Sequence, residues 1–160
     1  SSAASDVYKR QLYHMKPTDA VALYNRYIGD WGGTSTSYRF EAVKNGKVVK
    51  VVRKEPVTSM HLSAEPDHQN LTERHTYEAA EIRIRALDQN DNIVSFYQEP
   101  VVLSTEGPIA IIGPEIISLQ GGMGGTYVRT TGEEGVGILK IKAAQMEEQR
   151  IQFEVKNDRK

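Results

Sequence analysis

The sequence predicts an all-β chain built as a β-sandwich, and three observations carry that reading. Apolar residues recur at every second position in several stretches. The cleanest has Ala80, Ile82, Ile84 and Ala86 alternating with Glu81, Arg83 and Arg85, the pattern of a strand with one dry face. Glycine, proline and amide clusters separate such stretches. Residues 111–130 read IIGPEIISLQGGMGGTYVRT, the grammar of short strands and tight turns. Finally, about eight strands fit into roughly 100 residues of the C-terminal region, which is sandwich spacing.

Residues 1–17 fit no element. Ser1, Ser2, Ala3, Ala4 and Ser5 lead into a polar run, and this leader is expected to be non-native or weakly ordered. The rival reading is an edge strand near 7–13. Residues 18–28 predict a short helix. Thr18 or Asp19 can cap its start and Gly29 can end it. Val21, Tyr24 and Ile28 share one face. A loop follows at 30–33.

Tyr38, Phe40 and Ala42 alternate with Arg39 and Glu41, a strand with one wet face. Asn45-Gly46 tolerates positive φ and predicts a hairpin turn, with 48–54 as the returning strand. Pro56 marks a junction. Two strands alone are marginal in water, so the segment 18–56 is expected to lean on something else.

Region 57–160 is expected to hold the sandwich. Its strands start with Met60, Leu62 and Ala64 on one face, followed by a break at 66–70. The Ala80–Ala86 alternation and a turn cluster at 88–92 come next. Apolar runs then follow at 101–105, 109–112 and 116–119, with another strand at 127–130. Gly137, Leu139, Ile141 and Ala143 share a face, as do Ile151, Phe153 and Val155. Shifting the register by one would put Arg83 and Arg85 into the core in place of Ile82 and Ile84, so alternation fixes register as well as face.

Composition narrows the function classes. The net charge is −1, with 20 basic and 21 acidic side chains interspersed along the sequence. No basic face is implied, so nucleic acid is not an expected partner. No apolar run reaches the roughly 20 residues a membrane helix needs, so no membrane partner is expected. The chain has no cysteine, which removes disulfides, thiolate catalysis and thiolate metal sites but leaves the compartment open. The opening residues show no charged-then-apolar export signal.

Few residues suggest chemistry. His14, His61, His68 and His75 lack the spacing of a zinc helix, and three converging ligands are needed for such a site. No metal or cofactor is expected. Asp88 and Asp91 with a backbone carbonyl could bind calcium in a turn, but their spacing misses the EF-hand pattern. Glu73, Glu78, Glu81, Glu99, Glu106 and Glu115 fall in turns or on wet strand faces. A glycosidase needs two carboxyl groups facing across a cleft. Gly121, Gly122, Gly124 and Gly125 match neither phosphate-loop pattern; a tight strand connection explains them. The candidate carbohydrate contacts are Tyr27, Trp31 and Tyr38, with Asp30 and Arg39 beside them to bind hydroxyls. The alternative for Trp31 is a plug between helix and sheet. Tyr97 and Gln98 form a second candidate patch.

The motifs Ala86-Leu87-Asp88, the turn 89–92, Gly107-Pro108, Ile112-Gly113-Pro114, Gly121-Gly122 and YVRTTG at 127–132 occur in order. Over residues 57–156 they resemble the immunoglobulin-like C-terminal domain of glycoside hydrolase family 2 proteins of the β-galactosidase type. Asp91 stands where that family usually has a turn glycine. The stretch 18–56 is similar to the segment before that domain in some members. The resemblance implies an immunoglobulin-like β-sandwich behind a small helix and hairpin. It further implies a bacterial protein, cytoplasmic or secreted. The family's catalytic glutamates sit on a TIM barrel, and no barrel-length βα repeat is present here, so no catalytic residue carries over. A non-catalytic accessory domain is therefore expected, partnered by the catalytic and neighbouring domains of a glycosidase, with oligomerisation open. The alternatives are a carbohydrate-binding module or a structural, protein-interaction spacer.

Overall fold

The computed structural model describes residues 36–158, together with residues 19, 21 and 22. The chain divides into two units, Ser1–Thr36 and Ser37–Lys160. In the first, Asp19, Val21 and Ala22 are helical. The rest of the predicted helix, the leader and the loop at 30–33 lie outside the described residues.

The second unit is all-β. Its first strands, β1 (Tyr38–Lys44) and β2 (Lys47–Lys54), form a two-stranded hairpin. Asn45 (φ 54°) and Gly46 (φ 73°) make its turn, as the Asn-Gly pair predicts. A register shift between Ala42 and Val43 introduces an irregularity near the tip.

Nine further strands form two sheets. They are β3 (Met60–Pro66), β4 (Asn70–Glu73), β5 (Ala79–Asp88), β6 (Pro100–Glu106), β7 (Ile109–Ile112), β8 (Ile116–Ser118), β9 (Met123–Thr130), β10 (Gly135–Ala143) and β11 (Gln149–Asn157). One sheet has the order β4-β11-β10-β6-β8 and the other β3-β5-β9-β7. The pairings are antiparallel except for β4 with β11.

The inward residues of both sheets share one core, a sandwich-like arrangement. Ile82, Ile84, Val128 and Ile109 come from one sheet, and Leu71, Leu103, Leu139, Ile141 and Phe153 from the other. Gly137 on β10 sits so close to Ile109 on β7 that a Cβ there would lie 2.7 Å from the isoleucine side chain. Each fully buried aliphatic side chain contributes about 1.5–3 kcal/mol. Along β5 the alternation holds: Ala80, Ile82, Ile84 and Ala86 are all buried, and Arg83 is exposed.

Three local features differ from the sequence reading. Strand β4 falls beside the predicted break; Leu71 alone anchors it in the core, fully buried. The four clustered glycines split into two roles. Gly121 and Gly122, both at positive φ, make the turn, while Gly124 and Gly125 lie inside β9. Gly124 leaves room inside the strand for Leu119, whose side chain a Cβ there would approach to 2.8 Å. The hairpin strand β1 has no dry face. Tyr38, Phe40 and Val43 are 57–61% exposed.

Candidate functional site

The turn after β5 joins the hairpin to the sandwich, and Asp88 organises it. Its Oδ1 accepts the backbone N–H groups of Asn90 (2.8 Å) and Asn92 (2.9 Å), and both its oxygens accept from the Asn92 amide. Burial alone would raise the Asp88 pKa, but the Asn92 and Asn90 donors, with Lys54 nearby, hold the carboxyl below its usual value. Asp91 takes φ 60°, so the aspartate adopts the left-handed geometry that a glycine gives more easily. The amides of this turn then bind the end of β2 and the segment after it. Asn92 donates to the Arg53 carbonyl (2.7 Å), Gln89 donates to the Pro56 carbonyl (2.8 Å), and the Gln89 side-chain oxygen accepts from Thr58 N–H (3.1 Å). Asp88 therefore acts as a structural acceptor. Among the described residues no group of three or more potential metal-ligating side chains occurs.

The hairpin presents apolar and basic side chains together. Val48, Val49 and Val51 are 42–62% exposed, and Tyr38 stacks on Phe40 with ring centroids 6.4 Å apart. Arg39, Lys44, Lys47, Lys50, Arg53 and Lys54 stand against the single acid Glu41, a net +5. Residues 55–158 hold seventeen acids against eight bases, a net −9. The near-neutral total thus conceals two oppositely charged parts.

Two open clefts lie on the sandwich. One, of about 490 Å³, is lined by Thr72, Arg74, His75, Thr76, Tyr77 and Glu78. Its chemistry is engaged within the chain: the Arg129 guanidinium lies 5.7 Å from the Tyr77 ring centre, and Glu78 accepts from Thr72 N–H and contacts His68. The other, of about 440 Å³, is bounded by Met60, Phe96, Tyr97, Gln98, Glu99 and Gln145. Phe96 is 67% exposed. The Tyr97 ring is buried and its hydroxyl has no hydrogen-bond partner among the described residues. Burial, and then the neighbouring Glu99 charge, push its pKa up.

The sequence-predicted contacts are distributed as follows. Tyr27, Asp30 and Trp31 lie outside the described residues. Tyr38 and Arg39 are adjacent on β1 and so point to opposite faces; Arg39 pairs with Glu41 at 2.5 Å. Tyr97 and Gln98 both border the second cleft, Tyr97 buried and Gln98 exposed. Sequence reasoning missed Phe96 and Gln145 there. Phe96 directly precedes the named pair, whereas Gln145 is joined to it only by the fold.

Comparison with known proteins gives the class and then the family. No protein-family model matches the chain. Among solved structures, a β-glycosidase from Bacteroides vulgatus aligns with a TM-score of 0.63 at 15% identity, covering 76% of this chain and 18% of that one. A glycosyl hydrolase family 2 member from Bacteroides cellulosilyticus aligns with a TM-score of 0.61 at 16% identity, covering 75% and 17%. The fold is thus that of one portion of much longer glycoside hydrolase chains. A β-galactosidase of Rhizobium radiobacter is 35% identical over 136 residues, covering 80% of this chain and 93% of that protein. A β-galactosidase of Rhizobium meliloti is 34% identical over 122 residues, covering 72% of this chain and 16% of that protein's length. The chain belongs to the β-galactosidase family.

Proposed function

We propose that this chain is a non-catalytic accessory domain of a β-galactosidase-like exo-glycosidase, an immunoglobulin-like sandwich that packs against or extends the catalytic core. One observation carries the reading: the chain aligns over most of its own length with only 16% of the Rhizobium meliloti enzyme. Its own carboxylates are consistent with that role. Asp88 holds a turn, Glu73 accepts Gly132 N–H (2.9 Å), and Glu106 pairs with Lys140.

The docking surface in this reading is the β1–β2 hairpin. Two strands with exposed apolar faces are marginal alone. Its net charge of +5 specifies the occupant, a neighbouring domain of the parent enzyme with an acidic rim around an apolar centre. The test is charge reversal at Lys47, Lys50 and Arg53 (each →Glu) in the parent enzyme. The expected result is a lower thermal midpoint and lost activity at elevated temperature, with the isolated chain's own midpoint little changed. An unaltered parent enzyme would remove the hairpin from the interface.

A further inference from the structure

Three separate segments build the cleft of about 440 Å³, a volume within the range of small-molecule sites, roughly 300–1,000 Å³. Met60 opens β3, residues 96–99 follow the turn after β5, and Gln145 lies in the β10–β11 turn. Backbone hydrogen bonds fix the 94–99 wall. Tyr97 N–H donates to the Val94 carbonyl (3.0 Å), Val94 N–H to the Ala86 carbonyl (2.9 Å) and Gly122 N–H to the Tyr97 carbonyl (3.0 Å). Gln145 holds φ 61° without being glycine. Such a conformation costs energy, and residues of this kind gather at ligand sites.

The chemistry of the wall is selective. Phe96 offers an exposed ring, unlike Tyr77, which carries Arg129 over its face. The Gln98 and Gln145 amides can donate and accept. Glu99 can only accept when ionised, and it is the only charged residue lining the cleft among the described residues. The Tyr97 ring belongs to the buried core and its hydroxyl is enclosed, so it backs the wall rather than presenting a polar group to the cleft.

We propose that this cleft binds a neutral carbohydrate, with one pyranose ring stacked on Phe96 and its hydroxyls held by Gln98, Gln145 and Glu99. Aromatic rings pair with the C–H face of a sugar, and amides and a carboxylate pair with its hydroxyls. A single acid, with no cation among the described lining residues, favours neutral sugars over uronates. The inference does not depend on the accessory role above, and either can fail without the other.

The test is a titration of the full chain, followed by amide NMR, with cellotetraose and lactose as neutral probes and tetragalacturonate as the anionic one. The neutral probes should shift the amide signals of Phe96, Gln98 and Gln145, and tetragalacturonate should shift them far less. Phe96→Ala, at an exposed position that leaves the fold intact, should weaken binding about five- to tenfold. Gln98→Ala, at another exposed lining position, should weaken binding while leaving the thermal midpoint of the unliganded chain unchanged, which a merely structural glutamine would not do. The proposal is overturned by no response to the neutral probes up to about 10 mM. Equal response to the anionic probe, or unchanged affinity in either variant, would also overturn it.

Discussion

Asp88 shows how one side chain can position two parts of the molecule. Its carboxylate collects the donors of Asn90 and Asn92, and Asn92 in turn reaches the Arg53 carbonyl at the end of the hairpin. A carboxyl held below its unfolded pKa stabilises the fold above that value, and the contribution is lost as pH falls through the folded value. Asp88 and Asp67 both lie below their ordinary value of 3.8. Asp67 is held down by His68 and the Glu81 N–H against the opposing effect of burial. Stability should therefore be level above about pH 4 and decline below it. Asp88→Asn should lower stability at neutral pH and flatten that decline, as measured by urea unfolding across pH 2–7. An acid limb as steep as the parent's would remove Asp88 from the account.

Gly122 is fixed by space as well as by backbone angle. At φ 76°, a Cβ there would lie 2.4 Å from the Val94 carbonyl oxygen. Gly122→Ala should cost about 2 kcal/mol or more. Gly46→Ala has φ 73° but open space around it and should cost about 1 kcal/mol. Chemical denaturation midpoints of the two variants compare them directly, and equal losses would contradict the steric explanation.

At the scale of the element, β5 sets the register of its sheet. It pairs with β3 on one side and β9 on the other, and its inward isoleucines are fully buried. Ile84→Asp would place an unpaired carboxylate between two sheets. The expected loss is about 4 kcal/mol or more, read as a collapse of the thermal transition. A variant with the parent's midpoint would contradict the strand's placement.

Most strands were legible in the sequence because one face of each is buried against a shared core, and burial writes a period of two. Strand β4 was not, because four residues are too few to show a period and only Leu71 and Glu73 among them are buried. Strand β9 was foreshortened, because Gly124 and Gly125 read as turn residues although close approach to Leu119 and to the Ile82 carbonyl explains them. The cleft was half legible. Tyr97 and Gln98 are neighbours in sequence, whereas Gln145 and Met60 join them only through the pairing of distant strands.

At the scale of the whole molecule, opposite charges sit on two parts of the second unit. The hairpin carries +5 and residues 55–158 carry −9, so the near-neutral total conceals a segregation that already runs along the sequence. This separation gives the proposed accessory role its physical form: a sandwich around one shared core joined to an apolar, basic hairpin suited to an acidic neighbour. The family supplies enzymes, whereas this chain supplies the fold of one portion of them.

The proposed accessory role requires that this chain carry no hydrolase chemistry of its own. The direct test is incubation of the purified chain, made in a host lacking β-galactosidase, with a chromogenic β-galactoside. The account predicts release of chromophore at the uncatalysed rate at every protein concentration. Release that rises in proportion to the chain, and follows it through size exclusion, would contradict it.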